Sequence, residues 1–176
     1  TFVMVTHDQE EAMTMSTRMA VMETGTISQL GTPAELYEFP RSRYVARFVG
    51  TINMFEGRVV EDRPDRMVVH SEEAGTDLQV VHTVPMATGT SVAVAVRPEK
   101  ILIGKERPPS ADNLVSGTVD EIAYLGSLST YLVRLASGHR VRVTTPNLTQ
   151  MTEMPITWED QVFLWWSAKA GVVLAE

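Results

Sequence analysis

Apolar and polar positions along the chain form two textures, and the change falls near Gly50. Residues 2–6 are apolar and β-branched, which predicts a buried strand. The run stops at Thr6-His7-Asp8, and helix-spaced positions follow. Asp8 suits a helix N-cap, and Glu11 three residues on predicts a capping box. Ala12, Met15, Ser16 and Met19 then share one helical face. Residues 18–23 and 26–30, parted by Thr24-Gly25, read as a hairpin. Gly31-Thr32-Pro33 stops the second strand. Thr32 caps a short helix with Pro33 at its first position and Glu35 as its capping-box partner, and Pro40 ends it. Residues 41–49 predict another short helix, apolar at Tyr44, Val45, Phe48 and Val49.

Beyond Gly50 the helix period vanishes and short strands take over. The candidates are residues 53–61, 66–71, 78–82, 91–96, 101–104, 114–124, 129–135, 140–145, 161–166 and 172–175. Turn signals separate them: Arg63-Pro64-Asp65, Ala74-Gly75-Thr76-Asp77, Arg107-Pro108-Pro109-Ser110 and Ser137-Gly138. This spacing predicts a small β-barrel or sandwich. The domain boundary falls at residues 50–53, residues 107–112 read as a connection inside the β domain, and no tandem repeat is evident.

Composition narrows the function classes. At 176 residues there is room for one domain or two small ones. A net charge of -7 argues against binding a phosphate backbone. With no cysteine there is neither a disulfide framework nor a thiolate metal site. No apolar stretch reaches the ~18 residues of a membrane span.

The chemistry-bearing candidate is His7, at the end of a predicted strand and just ahead of a helix. Open α/β sheets bind ligands in crevices at such positions. By spacing alone His7 fits a ligand contact, a structural histidine or an exposed one, and no metal motif surrounds it. His70, His82 and His139 read as surface residues. Asp8, Glu10 and Glu11 are explained by capping and by favourable charge at the helix N-terminus. Met13, Met15, Met19 and Met22 read as core. No Gly-x-x-x-x-Gly-Lys-Ser/Thr loop occurs, so this sequence does not cradle nucleotide phosphates by that device. Trp165 and Trp166 are adjacent on a strand and point to opposite faces, one to the core and the other to the surface or an interface.

Val5-Thr6-His7-Asp8-Gln9-Glu10-Glu11-Ala12 resembles the switch-histidine segment of ABC transporter ATPases. The match runs on through Arg18-Met19-Ala20-Val21-Met22, Gly25-Thr26-Ile27, Gln29-Leu30-Gly31-Thr32-Pro33-Ala34-Glu35-Leu36-Tyr37, Pro40, Phe48-Val49-Gly50 and Asn53. Thr17 departs from it, standing where the family usually has an acidic residue. Residues 51–176 resemble the transport-associated OB domain of importer ATPases. Phe55-Glu56-Gly57-Arg58-Val59, Val96-Arg97-Pro98-Glu99-Lys100-Ile101, Ile122-Ala123-Tyr124-Leu125-Gly126 and Tyr131-Leu132-Val133-Arg134-Leu135 carry that likeness. Within the family the sequence looks most like the polyamine importers, of putrescine type.

The resemblance implies an α+β fragment followed by an all-β domain. Residues 1–50 would be the end of a P-loop ATPase domain, and residues 51–176 an OB-like β-barrel. The parent would be an ATP-hydrolysing, energy-coupling importer subunit using ATP with Mg2+, and His7 would contact the ATP γ-phosphate and orient the attacking water. Lacking the phosphate loop, this segment alone would be inactive. Implied partners are a second copy through the β domain, transmembrane permease subunits and, indirectly, a solute-binding protein, at the cytoplasmic face of a bacterial inner membrane. Arg97 and Glu99 read as a salt-bridged surface turn around Pro98. Two other readings compete: a free-standing OB-like module for a small ligand or oxyanion, and a single-strand nucleic-acid binder. The second conflicts with the charge of -7 and 7% aromatic content. Because the sequence opens in a strand, residues 2–6 are expected to lack sheet neighbours and to invite pairing with another chain.

Overall fold

The computed structural model describes residues 2–82, 84–148 and 155–175, which divide into two compact units at Thr51/Ile52. In the first unit, helix α1 (Gln9–Met15) precedes a hairpin of β1 (Met19–Glu23) and β2 (Thr26–Gly31), then α2 (Pro33–Glu38) and α3 (Arg43–Phe48). Thr24 and Gly25 both take positive φ, 47° and 84°, the turn geometry that matches strand twist in a two-residue hairpin. Thr32 and Glu35 form the expected reciprocal capping box with Pro33 in the first turn. Met19, Val21, Leu36, Val45 and Val49 make the small core.

Four expectations change here. Residues 2–6 form no strand: Phe2, Val3 and Val5 are exposed, because no strand among the described residues pairs with them. In α1 it is Ala12 and Met13 that lean on the core, while Met15 is 71% exposed, and Met22 also stands outside the core. The last helix starts at Arg43 because Ser42 caps it through the Val45 N–H and the Arg41 N–H is held by the Gln29 side chain. Tyr44 and Phe48 stack on one another at 5.9 Å on the exposed side.

The second unit consists of two five-stranded antiparallel sheets. Its strands are β3 (Asn53–Asp62), β4 (Met67–Ser71), β5 (Thr76–Val80), β6 (Ser91–Val96), β7 (Leu102–Gly104), β8 (Asn113–Tyr124), β9 (Leu128–Leu135), β10 (Arg140–Pro146), β11 (Gln161–Trp166) and β12 (Gly171–Leu174). The sheet orders are β12-β6-β3-β4-β5 and β7-β11-β8-β9-β10. Each sheet curls until its outer strands approach one another, and the Val81 N–H reaches the Ala168 carbonyl across one such gap. One core fills the space between the sheets, with Phe55 stacked on Trp166 at 5.6 Å.

Contrary to the expectation of no repeat, the two sheets repeat one plan. Six pairs join β3 to β6, from Asn53↔Val96 to Arg58↔Ser91, and six join β8 to β11, from Asn113↔Trp166 to Thr118↔Gln161. Both long strands bulge at the same place, Val59/Glu61 and Val119/Glu121. The closing strands are exchanged: β7 completes the second sheet and β12 the first. Few identities mark the repeat, Asn53/Asn113, Gly57/Gly117 and Val59/Val119 among them, so it escapes a reading by residue type.

The tryptophans divide as expected. Trp166 is buried, whereas Trp165 is half-buried over Gly104 on the neighbouring strand. His82 and His139 are only partly exposed. His82 is largely enclosed, with Nε2 2.7 Å from Asp62 and Nδ1 2.7 Å from the Val84 carbonyl. His139 lies 5.1 Å from the Phe55 ring. His70 is exposed and pairs across the strands with Asp77 at 2.7 Å. Arg97 is 3% exposed, so the Arg97-Pro98 turn is built into the core rather than laid on the surface.

Candidate functional site

The candidate site is the bend at Thr6-His7-Asp8 and the first turn of α1. A backbone entering a helix leaves its first N–H groups without intrahelical partners. Asp8 meets that need: its Oδ1 accepts from the Glu11 N–H at 3.0 Å. The expected capping box is half-formed, because Thr6 takes the other half. The Thr6 hydroxyl accepts from the Asp8 N–H at 3.0 Å and donates to Glu11 Oε2 at 2.8 Å. Thr6 and Glu11 thus bracket the bend from both sides.

The result is a clamped backbone with a free side chain. His7 is exposed and has no hydrogen bond or ion pair among the described residues. Its imidazole is therefore available to an external oxygen. Gln9 adds a tie that the sequence reading missed: its Oε1 accepts from the Gly50 N–H at 2.9 Å. Gly50 has a φ of 82°, a left-handed conformation that favours glycine and terminates α3. This links the start of α1 to the end of α3, within the first unit. The signal was present as a glutamine beside the histidine's cap, but its partner lies 41 residues away.

Among the described residues no group of three or more His, Asp or Glu side chains is placed to hold a metal ion. No Gly-x-x-x-x-Gly-Lys-Ser/Thr loop occurs in this sequence. No helix among those described is long and apolar enough to cross a membrane.

Comparison with known proteins bears on these features. The family model of the TOBE domain matches residues 94–174. The putrescine transport ATP-binding protein PotG of Escherichia coli (strain K12) is 44% identical over 180 residues, covering 99% of this chain and 46% of its own length. The spermidine/putrescine import ATP-binding protein PotA of Thermobifida fusca (strain YX) is 38% identical, covering 99% of this chain and 44% of its own. PotA of Trichodesmium erythraeum (strain IMS101) is 37% identical, with 100% and 47% covered. The chain spans about half the length of the curated relatives it matches. Among solved structures, the cytoplasmic molybdate-binding protein ModG, with molybdate bound, superposes with a TM-score of 0.59 at 19% identity, covering 69% of this chain and 94% of that one. At that identity the likeness shows the fold alone.

Proposed function

We propose that this chain belongs with the TOBE-containing ATP-binding proteins of polyamine ABC importers and serves the energy-coupling, ATP-hydrolysing subunit of a putrescine-type importer. Residues 1–50 are then the end of the P-loop ATPase domain, and residues 51–176 its regulatory and dimerising OB-like domain. The observation that carries the reading is the clamped bend that leaves the His7 imidazole free. The subunit works as a pair on transmembrane permease subunits at the cytoplasmic face of the inner membrane, and meets the solute-binding protein only through them.

Bound ATP with Mg2+ supplies the scissile γ-phosphoryl group. Transfer of that group depends on positioning and on donors aimed at developing charge. The Thr6, Asp8 and Glu11 network holds the backbone at His7, so the imidazole is oriented before the phosphate arrives. From there it hydrogen-bonds a γ-phosphate oxygen and helps to orient the attacking water. The test is ATP turnover by the complete polypeptide carrying His7→Ala. Turnover should fall about 100-fold or more, with ATP binding retained, as when a preorganised donor to the transition state is removed. Equal turnover in variant and parent overturns the role.

A further inference from the structure

We propose that the cavity beside Ser116, at the start of β8, binds a small organic carboxylate, which takes there the place that the chain's own Glu73 carboxylate takes in the other half of the β unit.

The repeated plan carries the comparison. Glu56 of β3 and Ser116 of β8 are equivalent, standing opposite Ala93 and Phe163 in their sheets. Successive residues of a strand turn their backbone groups to alternate neighbours. Val59 bonds Thr90 and Gly89 on the β6 side, and Val119 bonds Asp160 and Glu159 on the β11 side. Glu56 and Ser116, each three residues earlier, therefore turn their N–H groups the other way, toward β4 and β9. Both stand beyond the last pair of that ladder, Arg58↔His70 in one half and Gly117↔Leu135 in the other. An N–H so placed needs another acceptor.

The first half supplies the acceptor from its own chain. The β4–β5 turn brings Glu73 back, and its Oε2 accepts from the Glu56 N–H at 2.7 Å while standing 3.6 Å from His139 Nδ1. The second half differs. Its β9–β10 turn is one residue shorter and puts Ser137 where Glu73 stands, with the Ser137 hydroxyl donating to the Glu73 carbonyl. Among the described residues no side chain or turn reaches the Ser116 N–H on this side.

What lies there is a cavity of about 310 Å³, at the small end of ligand sites. Ser116, Ser137 and Thr76 line it with hydroxyl groups, and Leu114 and Phe163 give it apolar walls. Among the described residues Arg107 is the only charged side chain on those walls, and its guanidinium makes no hydrogen bond or ion pair. A planar guanidinium matches a carboxylate, and a charge-assisted pair is stronger than a neutral one. The apolar walls gain only from a ligand that also carries carbon, which favours an organic anion over an inorganic one.

The test uses the complete protein without nucleotide, labelled with 15N at serine, so that the result stands apart from the ATPase reading. The probe is benzoate, and Ser116→Ala identifies the Ser116 amide resonance. Benzoate should shift that amide saturably, and benzamide, its neutral isostere, should bind at least tenfold more weakly. Arg107→Gln should raise the benzoate Kd about tenfold. Arg107 is exposed, so this variant should melt like the parent. Lys169→Gln, outside the cavity, should leave the Kd unchanged. No benzoate shift at Ser116, equal binding of benzamide, or parent-like affinity in Arg107→Gln overturns the proposal. A shift with inorganic phosphate but none with benzoate makes the site one for inorganic oxyanions and overturns it too.

Discussion

The two halves of the β unit share a framework and differ in dress. Asn53 opens β3, and its side chain bonds both backbone groups of Arg142 on the other sheet, at 2.8 and 2.7 Å. Asn113 opens β8 and does the same for Gln79, at 2.9 and 2.7 Å. Each asparagine occupies the edge groups of the opposite sheet, which would otherwise be open to another chain. Gly57 and Gly117 allow the closest strand approach in each half: an added Cβ would press on the carbonyl oxygens of His70 and Arg134. The strand-entry loops match as well. Val59 exchanges backbone bonds with Thr90 and Gly89, and Val119 with Asp160 and Glu159. Outward differences include the tips, where Arg63 pairs with Glu61 at 2.7 Å on the first and Tyr124 and Leu125 are exposed on the second, and Thr90 against Asp160, Gly89 against Glu159. The shared asparagines and glycines stand where backbone geometry admits few residue types, whereas the core itself diverges, Phe55 of one half standing where Val115 stands in the other.

If the halves are equivalent in energy as well as in plan, matched substitutions should cost alike. Gly57→Ala and Gly117→Ala should each lower unfolding stability by about 3 kcal/mol, since strand backbone rather than a flexible side chain must move; denaturant midpoints of the complete protein measure this. A mild effect at one glycine and a severe one at the other would break the symmetry. Asn53→Ala and Asn113→Ala should each cost about 1 to 2 kcal/mol, because each leaves a part-buried N–H and C=O without its partner. Amide exchange should rise selectively at Arg142 in the first variant and at Gln79 in the second.

Smaller effects sharpen the difference. Glu159 has a φ of 64° where its counterpart Gly89 has 89°. A residue with a Cβ is strained in that region by roughly 1 kcal/mol. Glu159→Gly should therefore raise stability by about 0.5 to 1 kcal/mol and Gly89→Ala lower it by about as much, read as opposite shifts in Tm. The smallest effect concerns acid. Asp160 accepts from Lys105 Nζ at 2.8 Å and from the Thr157 N–H at 2.6 Å, and these partners hold its carboxyl below the usual range, Lys105 foremost. A lowered folded value means that the contribution is whole above the ordinary carboxylate range and is lost as pH falls through the lowered one. Thr90 carries no charge and donates instead to the Ala87 carbonyl. Asp160→Asn should thus narrow the stability gap to the parent on acidification, and Thr90→Ala should show no such trend.

Much of the molecule was legible where one residue suffices to set local geometry. Thr32, Pro33 and Glu35 announced α2, Thr24-Gly25 the hairpin turn, and all ten β-unit strands appear close to their expected places. In β11 the alternate residues Val162, Leu164 and Trp166 turn inward, so the pleat alone parts the two adjacent tryptophans. His7 was visible as a histidine ahead of a cap, but not the Thr6 relay that half-replaces the capping box, because two acceptors of similar reach compete for the same N–H. The enclosure of His82 and Arg97 was also hidden, since burial of a polar residue depends on what folds over it.

By itself the sequence determined the caps, the turns, the strand positions and the change of texture near Gly50. These follow from interactions within a few residues. Only the tertiary structure decided which strands pair, that β7 and β12 change places, and that two asparagines clasp the opposite sheets across 89 and 34 residues of chain. Most of the strands carry much the same alternation and so do not name their neighbours. The choice is made by the shared core that all ten strands must close around at once.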